Sequence, residues 1–259
     1  MDASGGPDGS HGALDAPAVP CAPDEAQVRA DLSAAYRLVA RAGWDDLIYS
    51  HITAMVPGEP GHFLINAFGL RFDEITPDSL VKIDLHGRVL NPGPGRRINR
   101  GGFALHAALH AARPDAHCVM HLHETSAIAV STHPLGLLPL SQHALRFHDC
   151  LALHAYEGLV LGPEEGQRLV QAMLGRQAGL LRNHGTLVLG RTVAEAFTLS
   201  ATLIKACQVQ VAALAGNPQP VLPEPDVARR TAAQLFDNGA LEGVLEWPAL
   251  LRSLGPFPT

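Results

Sequence analysis

Two histidines one residue apart end a short apolar run in the middle of the chain, in the stretch CVMHLHE at residues 118–124. If this run is a strand, His121 and His123 point to the same face, because side chains alternate along a strand. Two imidazoles on one face could bind a single metal ion, and histidine is a common metal ligand. The spacing fits equally well with two polar residues at a solvent-exposed strand end, so other parts of the chain have to decide.

A third histidine, His184, follows another apolar run in LLRNHGTLVLG, and Gly185 behind it would allow a sharp turn. Its alternative is an ordinary turn histidine at the end of a strand. Three imidazoles with one open position form the ligand set of catalytic zinc and iron sites. His106 and His110 lie four residues apart and therefore share one face of a predicted helix. His106 is the candidate for a fourth ligand.

The elements that must position these histidines follow from hydrophobic periodicity and from the Gly and Pro breaks. Helices are predicted at 24–42, 101–112, 124–131, 163–174 and 192–215, with one or two more near the C-terminus. Short strands are predicted between 48 and 90, at 117–123 and on both sides of His184, and 135–160 is predicted to be loop with a short strand. Strands and helices interleave without strict βαβ alternation, which predicts a mixed or antiparallel sheet flanked by helices.

Composition excludes several classes of protein. The chain has 259 residues, 47% of them hydrophobic and 17% charged, which is typical of a globular protein. A net charge of −6 offers no basic surface for nucleic acid, no basic cluster indicates a membrane surface, and no apolar run reaches the roughly 20 residues of a membrane span. We therefore expect neither partner.

The first 22 residues and the cysteines indicate a cytoplasmic protein. Residues 1–22 are rich in Gly, Pro, Ala and Asp, lack the pattern of a signal peptide, and are predicted to be a flexible tail. The four cysteines have no CxxC spacing, which argues against a disulfide framework or a cysteine zinc site.

Four segments in order resemble the class II aldolase/adducin family, which includes fuculose-phosphate aldolase and ribulose-phosphate 4-epimerase. They are YSHITAMVPG, FLINAFGLRFDEITPDSLVKIDLHG, GFALHAALHAARPDAHCVMHLH and LLRNHGTLVLG, within residues 26–216. The remainder, with EWPALLRSL, resembles the bacterial adducin-like branch. The resemblance implies one metal-binding domain at 23–216, with 217–259 as a helical extension packed on it.

The resemblance also implies a fold and a cofactor. The fold is α/β, with three layers (α/β/α) around a mostly antiparallel central sheet, often in a homotetramer with sites at subunit interfaces. The cofactor is one divalent metal held by His121, His123 and His184, with zinc expected and iron, manganese or cobalt as alternatives.

The chain departs from the aldolase pattern at the catalytic acid and at the phosphate anchors. The aldolases carry an acidic residue four positions before the histidine that matches His106, and Gly102 stands there. The positions that match the phosphate anchors are Ser50-His51, Phe68-Gly69 and Arg100-Gly101. We therefore expect a small oxo or hydroxy acid rather than a sugar phosphate, because Arg100 suits a carboxylate. The predicted substrate-binding residues are Arg100, Phe68, Gly69, His51 and Asn66.

Three residues are candidates for the missing proton-transfer group. Tyr156 resembles tyrosines that neighbouring subunits supply in the family, with ordinary packing as its alternative. His106 lies near the vacated acid position. Glu124 could orient a ligand histidine, as carboxylates behind metal ligands do, or could simply begin a helix, where its charge is favourable.

Three functions from different classes remain open. The first is a divalent-metal-dependent aldolase-type lyase, which makes or breaks a carbon–carbon bond in a small-molecule substrate. The second is a non-haem iron oxygenase or decarboxylase acting on an aromatic oxo acid, because the family is similar to an oxygenase of aminocoumarin biosynthesis. The third is a non-catalytic adducin-like binding module, which would not need three convergent imidazoles.

Overall fold

The computed structural model describes residues 23–158, 162–216, 219–236 and 242–255. The predicted tail at 1–22 lies outside the described residues. The elements follow in the order α1 (Glu25–Ala42), β1 (His51–Met55), β2 (His62–Ile65), β3 (Val81–Asp84), α2 (Arg100–Ala112), β4 (Cys118–Leu122), α3 (Thr125–Thr132), α4 (Gln142–Leu145), β5 (Leu151–His154), α5 (Pro163–Ala172), β6 (Ala178–Leu181), β7 (Gly185–Gly190), α6 (Val193–Gly216), α7 (Pro225–Phe236) and α8 (Glu246–Leu254).

The seven strands form one sheet in the order β3-β2-β1-β4-β7-β6-β5. Every neighbouring pair is antiparallel except β5 and β6, which are parallel. The predicted mostly antiparallel sheet is therefore confirmed. The strand that carries the histidine pair, β4, lies at the centre of the sheet, between β1 and β7.

Helices cover both faces of the sheet, which confirms the three-layer prediction. Met120 and Leu122 of β4 belong to the core cluster that includes α1 and α6 residues. Val119 packs on the opposite face, against α2 and α5. Because side chains alternate, His121 points to the same face as Val119, towards the N-terminal part of α2.

The long helix α6 is, among the described residues, the one element long and apolar enough to cross a membrane. Its buried residues, such as Leu203 and Cys207, pack against the sheet in the same cluster as Leu180 and Val188. A core helix passes the same test of length and composition, and the contacts of α6 are those of a core helix.

The described C-terminal segment contacts α1, α4 and α6. The Trp247 ring of α8 lies 5.8 Å from the Phe197 ring of α6, and its Nε1 donates to Asp31 Oδ1 of α1 at 2.9 Å. Helix α7 contacts α4. The described residues of this segment thus pack on α1, α4 and α6, and the domain bounds 23–216 and 217–259 stay a prediction.

The structure differs from the sequence prediction mainly between the long elements. The predicted strand at RVL is reduced to a single bridge between Ile83 and Val89. The segment 135–160 contains the short helix α4 besides β5. Such short elements depend on contacts with the rest of the fold rather than on a local pattern.

Candidate metal centre

The three predicted ligand histidines come together at one end of the inner strands β4, β6 and β7. His121 is in β4, His123 follows it directly, and His184 is in the turn between β6 and β7. The Nε2 atom of His123 is 3.0 Å from Nε2 of His121 and 3.1 Å from Nε2 of His184. Tetrahedral ligands bound at about 2.0–2.1 Å from a zinc ion are roughly 3.4 Å apart. The spacing of the imidazoles is close to that of a metal site.

The hydrogen bonds of two of these histidines direct their lone pairs at each other. His121 Nδ1 donates to the carbonyl oxygen of Thr186 at 2.8 Å, and His123 Nδ1 donates to the Asp46 carboxylate at 2.9 Å. A neutral imidazole with its proton on Nδ1 has a lone pair on Nε2. Two such lone pairs at 3.0 Å repel each other unless a cation lies between them, so the donor set fits a divalent metal.

Burial keeps the imidazoles in the form that binds metal. Burial, together with the charges of neighbouring histidines such as His51, lowers the pKa of His121 well below its ordinary value. Burial and the charge of His123 lower the pKa of His184 to about 4. A metal ligand has to be a neutral imidazole, and both residues are neutral at physiological pH.

Gly102 makes room for the ring of His51. A Cβ atom at Gly102 would lie 2.1 Å from Cε1 and 2.6 Å from Nε2 of His51. His51 is 5% exposed, pairs with His121 across β1 and β4, and has no hydrogen-bond partner for either ring nitrogen among the described residues. Burial lowers its pKa to about 4. An imidazole with two free nitrogens therefore stands beside the cavity where the aldolase pattern would place a carboxylate.

A hydrogen-bonded chain behind His51 fixes the tautomers of two more histidines. His110 Nδ1 donates to the carbonyl oxygen of Ala116 at 2.8 Å, so His110 Nε2 accepts from the Thr53 hydroxyl at 2.7 Å. The Thr53 oxygen then accepts from His106 Nδ1, also at 2.7 Å. The His106 ring packs against His51, 4.5 Å between centroids.

These hydrogen bonds change the expectation for His106. The group of residues that could hold a metal contains His121, His123 and His184, and His106 is not among them. The His106 side chain is fully buried and does not line the cavity. We therefore regard it as a residue that supports the His51 ring rather than as a ligand or a base.

Low pH should destabilise the protein because His106 and His110 are buried in their neutral form. Burial lowers the pKa of His110 to about 4 and that of His106 well below the ordinary value. Below pH 6.5 the unfolded chain therefore binds protons that the folded chain does not. We expect each of these groups to lower the free energy of unfolding by up to about 1.4 kcal/mol per pH unit as the pH falls from 6.5 to 4.

Thermal unfolding of the metal-free protein at a series of pH values measures this effect. The same decline should persist in His86→Gln, which removes an exposed histidine. A melting temperature that stays constant between pH 6.5 and 4.5 would contradict the assignment of neutral buried histidines.

Asp46 is a functional candidate that the sequence did not reveal. Its carboxylate accepts from His123 Nδ1 across 77 positions of sequence, and it lines the cavity. A carboxylate behind a ligand histidine fixes the tautomer and raises the basicity of the ligand. From the sequence, Glu124 was predicted to have this role.

Removing this carboxylate should weaken metal binding. We expect Asp46→Ala to lower Zn²⁺ affinity by about 10- to 100-fold, the usual effect of losing such a partner. Competition with a chromogenic chelator measures the affinity. Asp45→Ala is the matched control, because the neighbouring carboxylate is exposed and does not line the cavity. Equal affinities for the two variants would argue against the role of Asp46.

Glu124 caps α3 instead of orienting a ligand. Its side chain accepts from the backbone N–H of Ala127 at 2.8 Å, and its backbone lies just before the first turn of the helix. Of its two predicted roles, the structure supports the helix N-terminal one. The reason is geometric, because the carboxylate that would orient His123 is supplied by Asp46.

The cavity next to the histidines has a volume of about 220 Å³. Tyr156 of the same chain lines it, about half exposed, with its ring 6.3 Å from the His184 ring. The predicted catalytic tyrosine is thus close to the metal centre. The lining residues are Asp46, Tyr49, Ser50, His51, Asn99, Gly101, Gly102, Leu105, His121, His123, His154, Ala155, Tyr156, Glu157, Gly158, Glu165, Leu169, Leu181, Arg182 and His184.

Four of the five predicted substrate-binding residues do not line this cavity. Arg100 begins α2 and lines a separate groove with α5 residues. Asn66 Oδ1 lies 2.9 Å from the buried hydroxyl of Tyr36, which also contacts Ile52. Phe68 and Gly69 form a neighbouring loop, with the Phe68 ring 6.5 Å from that of Tyr49. The fifth residue, His51, lies in the cavity wall as predicted.

The turn that carries His184 depends on Asn183, which was predicted to form a turn, and on Gly185, whose role differs from the predicted one. Asn183 has a φ of 58°, the left-handed conformation that Asn tolerates. Gly185 does not have a positive φ. Its role is close packing, since a Cβ there would lie 2.3 Å from the carbonyl oxygen of Leu122.

Comparison with known proteins identifies the family of the chain. Residues 30–211 match the family described as Class II Aldolase and Adducin N-terminal domain. This match spans most of the chain, and the protein belongs to that family.

Individual relatives fall into both branches of the family. A Caulobacter vibrioides protein, provisionally assigned as a class 2 aldolase, is 48% identical over 89% of this chain and 90% of its own length. Mouse alpha-adducin is 44% identical over 74% of this chain but only 26% of its own length.

Solved structures share the fold. An aldolase II superfamily protein from Pseudomonas syringae has a TM-score of 0.87 at 42% identity, covering 90% of this chain and 94% of its own. L-fuculose 1-phosphate aldolase from Glaciozyma antarctica has a TM-score of 0.78 at 28% identity, covering 89% of each chain.

Proposed function

We propose that the protein is a divalent-metal-dependent lyase of the aldolase type that acts on a small oxo or hydroxy acid. The observation that carries the proposal is the convergence of three Nε2 atoms, two of which, in His121 and His123, carry lone pairs that face each other. His121, His123 and His184 would hold the metal, with Zn²⁺ expected from the histidine set. When bound, the metal would stabilise the negative charge that develops on a carbonyl oxygen as a carbon–carbon bond breaks.

The residues around the metal centre have separate tasks in this proposal. Tyr156 would donate a proton to the leaving fragment from the open side of the cavity, near His184. The neutral ring of His51 would hydrogen-bond a substrate oxygen, because neither of its nitrogens has a protein partner. Leu105, Leu169 and Leu181 form an apolar wall that limits access of water.

The charge of the cavity supports a substrate other than a sugar phosphate. Arg182 is the one Lys or Arg among the described residues that line it. Its guanidinium donates to the carbonyl oxygens of Ser131, His133 and Pro134, and so is already used. Arg100 lines another groove and does not support the acid substrate, while the missing phosphate anchors support the exclusion of a sugar phosphate.

Exchange of carbon-bound protons in D₂O tests the lyase function, because an aldolase must form a carbanion. Protein loaded with Zn²⁺ should exchange the methyl protons of pyruvate, followed by NMR, faster than metal-stripped protein does. It should exchange the hydroxymethyl protons of dihydroxyacetone phosphate more slowly than the methyl protons of pyruvate. Preference for the phosphate would make the protein a sugar-phosphate aldolase.

Two other functions are distinguished by the same samples. The absence of the aldolase acid at Gly102 favours the non-haem iron oxygenase, which would need Fe²⁺ and consume oxygen with an aromatic oxo acid. The adducin relatives favour a non-catalytic module, which would show neither proton exchange nor oxygen uptake with any metal.

We further propose that the protein is a homotetramer, because members of the family typically form oligomers. We propose the cytoplasm as its location, in keeping with the soluble fold of the family. Light scattering coupled to size-exclusion chromatography measures the mass directly. A single chain of 27.4 kDa in solution would contradict the tetramer.

A further inference from the structure

A histidine and a glutamate form a second polar group in the cavity, apart from the metal centre. His154 ends β5, and Glu165 lies in the first turn of α5. His154 Nε2 is 4.0 Å from Glu165 Oε1, and the two side chains are 10% and 12% exposed. Both residues line the same cavity as the three ligand histidines.

The His154 side chain is not explained by the stability of the fold. His154 Nε2 is buried without a hydrogen-bond partner among the described residues. Burying such a group costs free energy unless something bonds to it. A bound molecule, held between the ring and the carboxylate, would supply the missing hydrogen bonds.

The arginines nearby are bonded to partners other than this pair. Arg168 of α5 is engaged by Glu157, its Nε donating to Glu157 Oε1 at 2.8 Å, so it does not bind Glu165. Glu164, the neighbour of Glu165, is largely exposed. Arg182 on the β6 side donates to three carbonyl oxygens. Tyr156, two residues after His154, is the remaining titratable residue on that side of the cavity.

The pair also has the right position along the sheet. His154 pairs with Leu181, and Leu181 pairs with Gly185, the residue next to His184. His154 therefore lies beside the end of β6, where the turn that carries the third ligand begins. A substrate bound at the metal centre would extend across the ends of these strands towards the pair.

We propose that His154 and Glu165 are an acid/base pair that performs the proton transfer for which the chain lacks the aldolase acid. This inference rests on the proposed lyase function. In cleavage, His154 Nε2 would take the proton of the substrate hydroxyl while that C–O bond becomes C=O. The adjacent C–C bond breaks, its electron pair stays on the carbon next to the substrate carbonyl, and a proton is later returned to that carbon. Glu165 stabilises the imidazolium in between.

Binding of acetohydroxamate to the Zn²⁺-loaded protein tests the pair without an activity assay. This compound chelates metals as an anion, so it must give up a proton when it binds. Calorimetry in buffers of different ionisation enthalpy counts the protons released. We expect Glu165→Gln and His154→Gln to release about one proton more per bound ligand than the wild type. Glu164→Gln is the matched control and should behave as the wild type.

The possible results are distinct. Equal proton counts in the wild type and both variants, with ligand bound in each, would overturn the role of the pair and leave the proposed function intact. A wild-type protein that binds neither Zn²⁺ nor acetohydroxamate would overturn the lyase function and the pair with it.

Discussion

Replacing His184 by alanine should abolish metal binding while the chain stays folded. The three Nε2 atoms lie within 4.8 Å of one another, and two remaining imidazoles cannot complete a stable zinc site. Because loss of a mere supporting partner costs about 10- to 100-fold in affinity, loss of a ligand should cost at least about 100-fold. Elemental analysis after dialysis against a weak chelator should show one zinc per wild-type chain and essentially none in the variant.

The matched control is His117→Ala, which removes an exposed histidine from the same region of the chain. It should retain the full metal content. Circular dichroism of both variants checks the fold. A folded His184→Ala variant that kept stoichiometric zinc would show that the three histidines are not the ligand set.

The second large effect is expected at Gly102. A Cβ atom there would lie 2.1 Å from the His51 ring, which is too short for any contact. The ring is buried between Gly102, His106 and His121, so it must leave its place or strain the start of α2. We expect Gly102→Ala to lower the free energy of unfolding by about 1–3 kcal/mol, as overpacking of a core does. Denaturant unfolding measures it.

The neighbouring glycine provides the control. At Gly101, also in the first turn of α2, the nearest heavy atom to an added Cβ would be Asn99 Oδ1 at 3.6 Å, an ordinary contact. Gly101→Ala should therefore be neutral or stabilising by up to ~1 kcal/mol, since alanine favours a helix.

A double variant separates the clash from other effects of the methyl group. Gly102→Ala combined with His51→Ala should lose less stability than the sum of the two single changes, because the clash is absent. Strict additivity would mean that the two residues do not share the space as described.

Much of the fold was predictable because its long elements are locally patterned. The helix at 24–42 and the apolar run before His121 each carry a clear periodicity, and the structure has α1 and β4 there. The ligand set was predictable from two strand ends, because an HxH pair at the end of a central strand already restricts where a third ligand can lie. The family resemblance supplied the chain order.

The residues that surround the three ligand histidines could not be predicted from the sequence, and the reason is physical. Asp46, His154 and Glu165 come from a loop, a short strand and a helix start, and none of them stands in a local motif. Only the sheet order brings them to the cavity. Glu124 was chosen for the role of Asp46 because it is adjacent in sequence to His123, whereas the strand geometry turns it into the cap of α3.

The sequence showed that the aldolase acid is absent at Gly102. It did not show which side chain takes the place of that acid. The missing acid was visible from the spacing to His106, while the imidazole that fills the space comes from β1, some fifty residues earlier in the chain. The acid that is absent at Gly102 is thus replaced in the fold by the imidazole of His51.

The most direct test of the metal centre is the anomalous difference map of crystals grown with Zn²⁺, measured on both sides of the zinc absorption edge. We predict one strong peak at about 2.0–2.1 Å from the Nε2 atoms of His121, His123 and His184. A peak bound elsewhere on the chain, or none between these three atoms, would contradict this prediction.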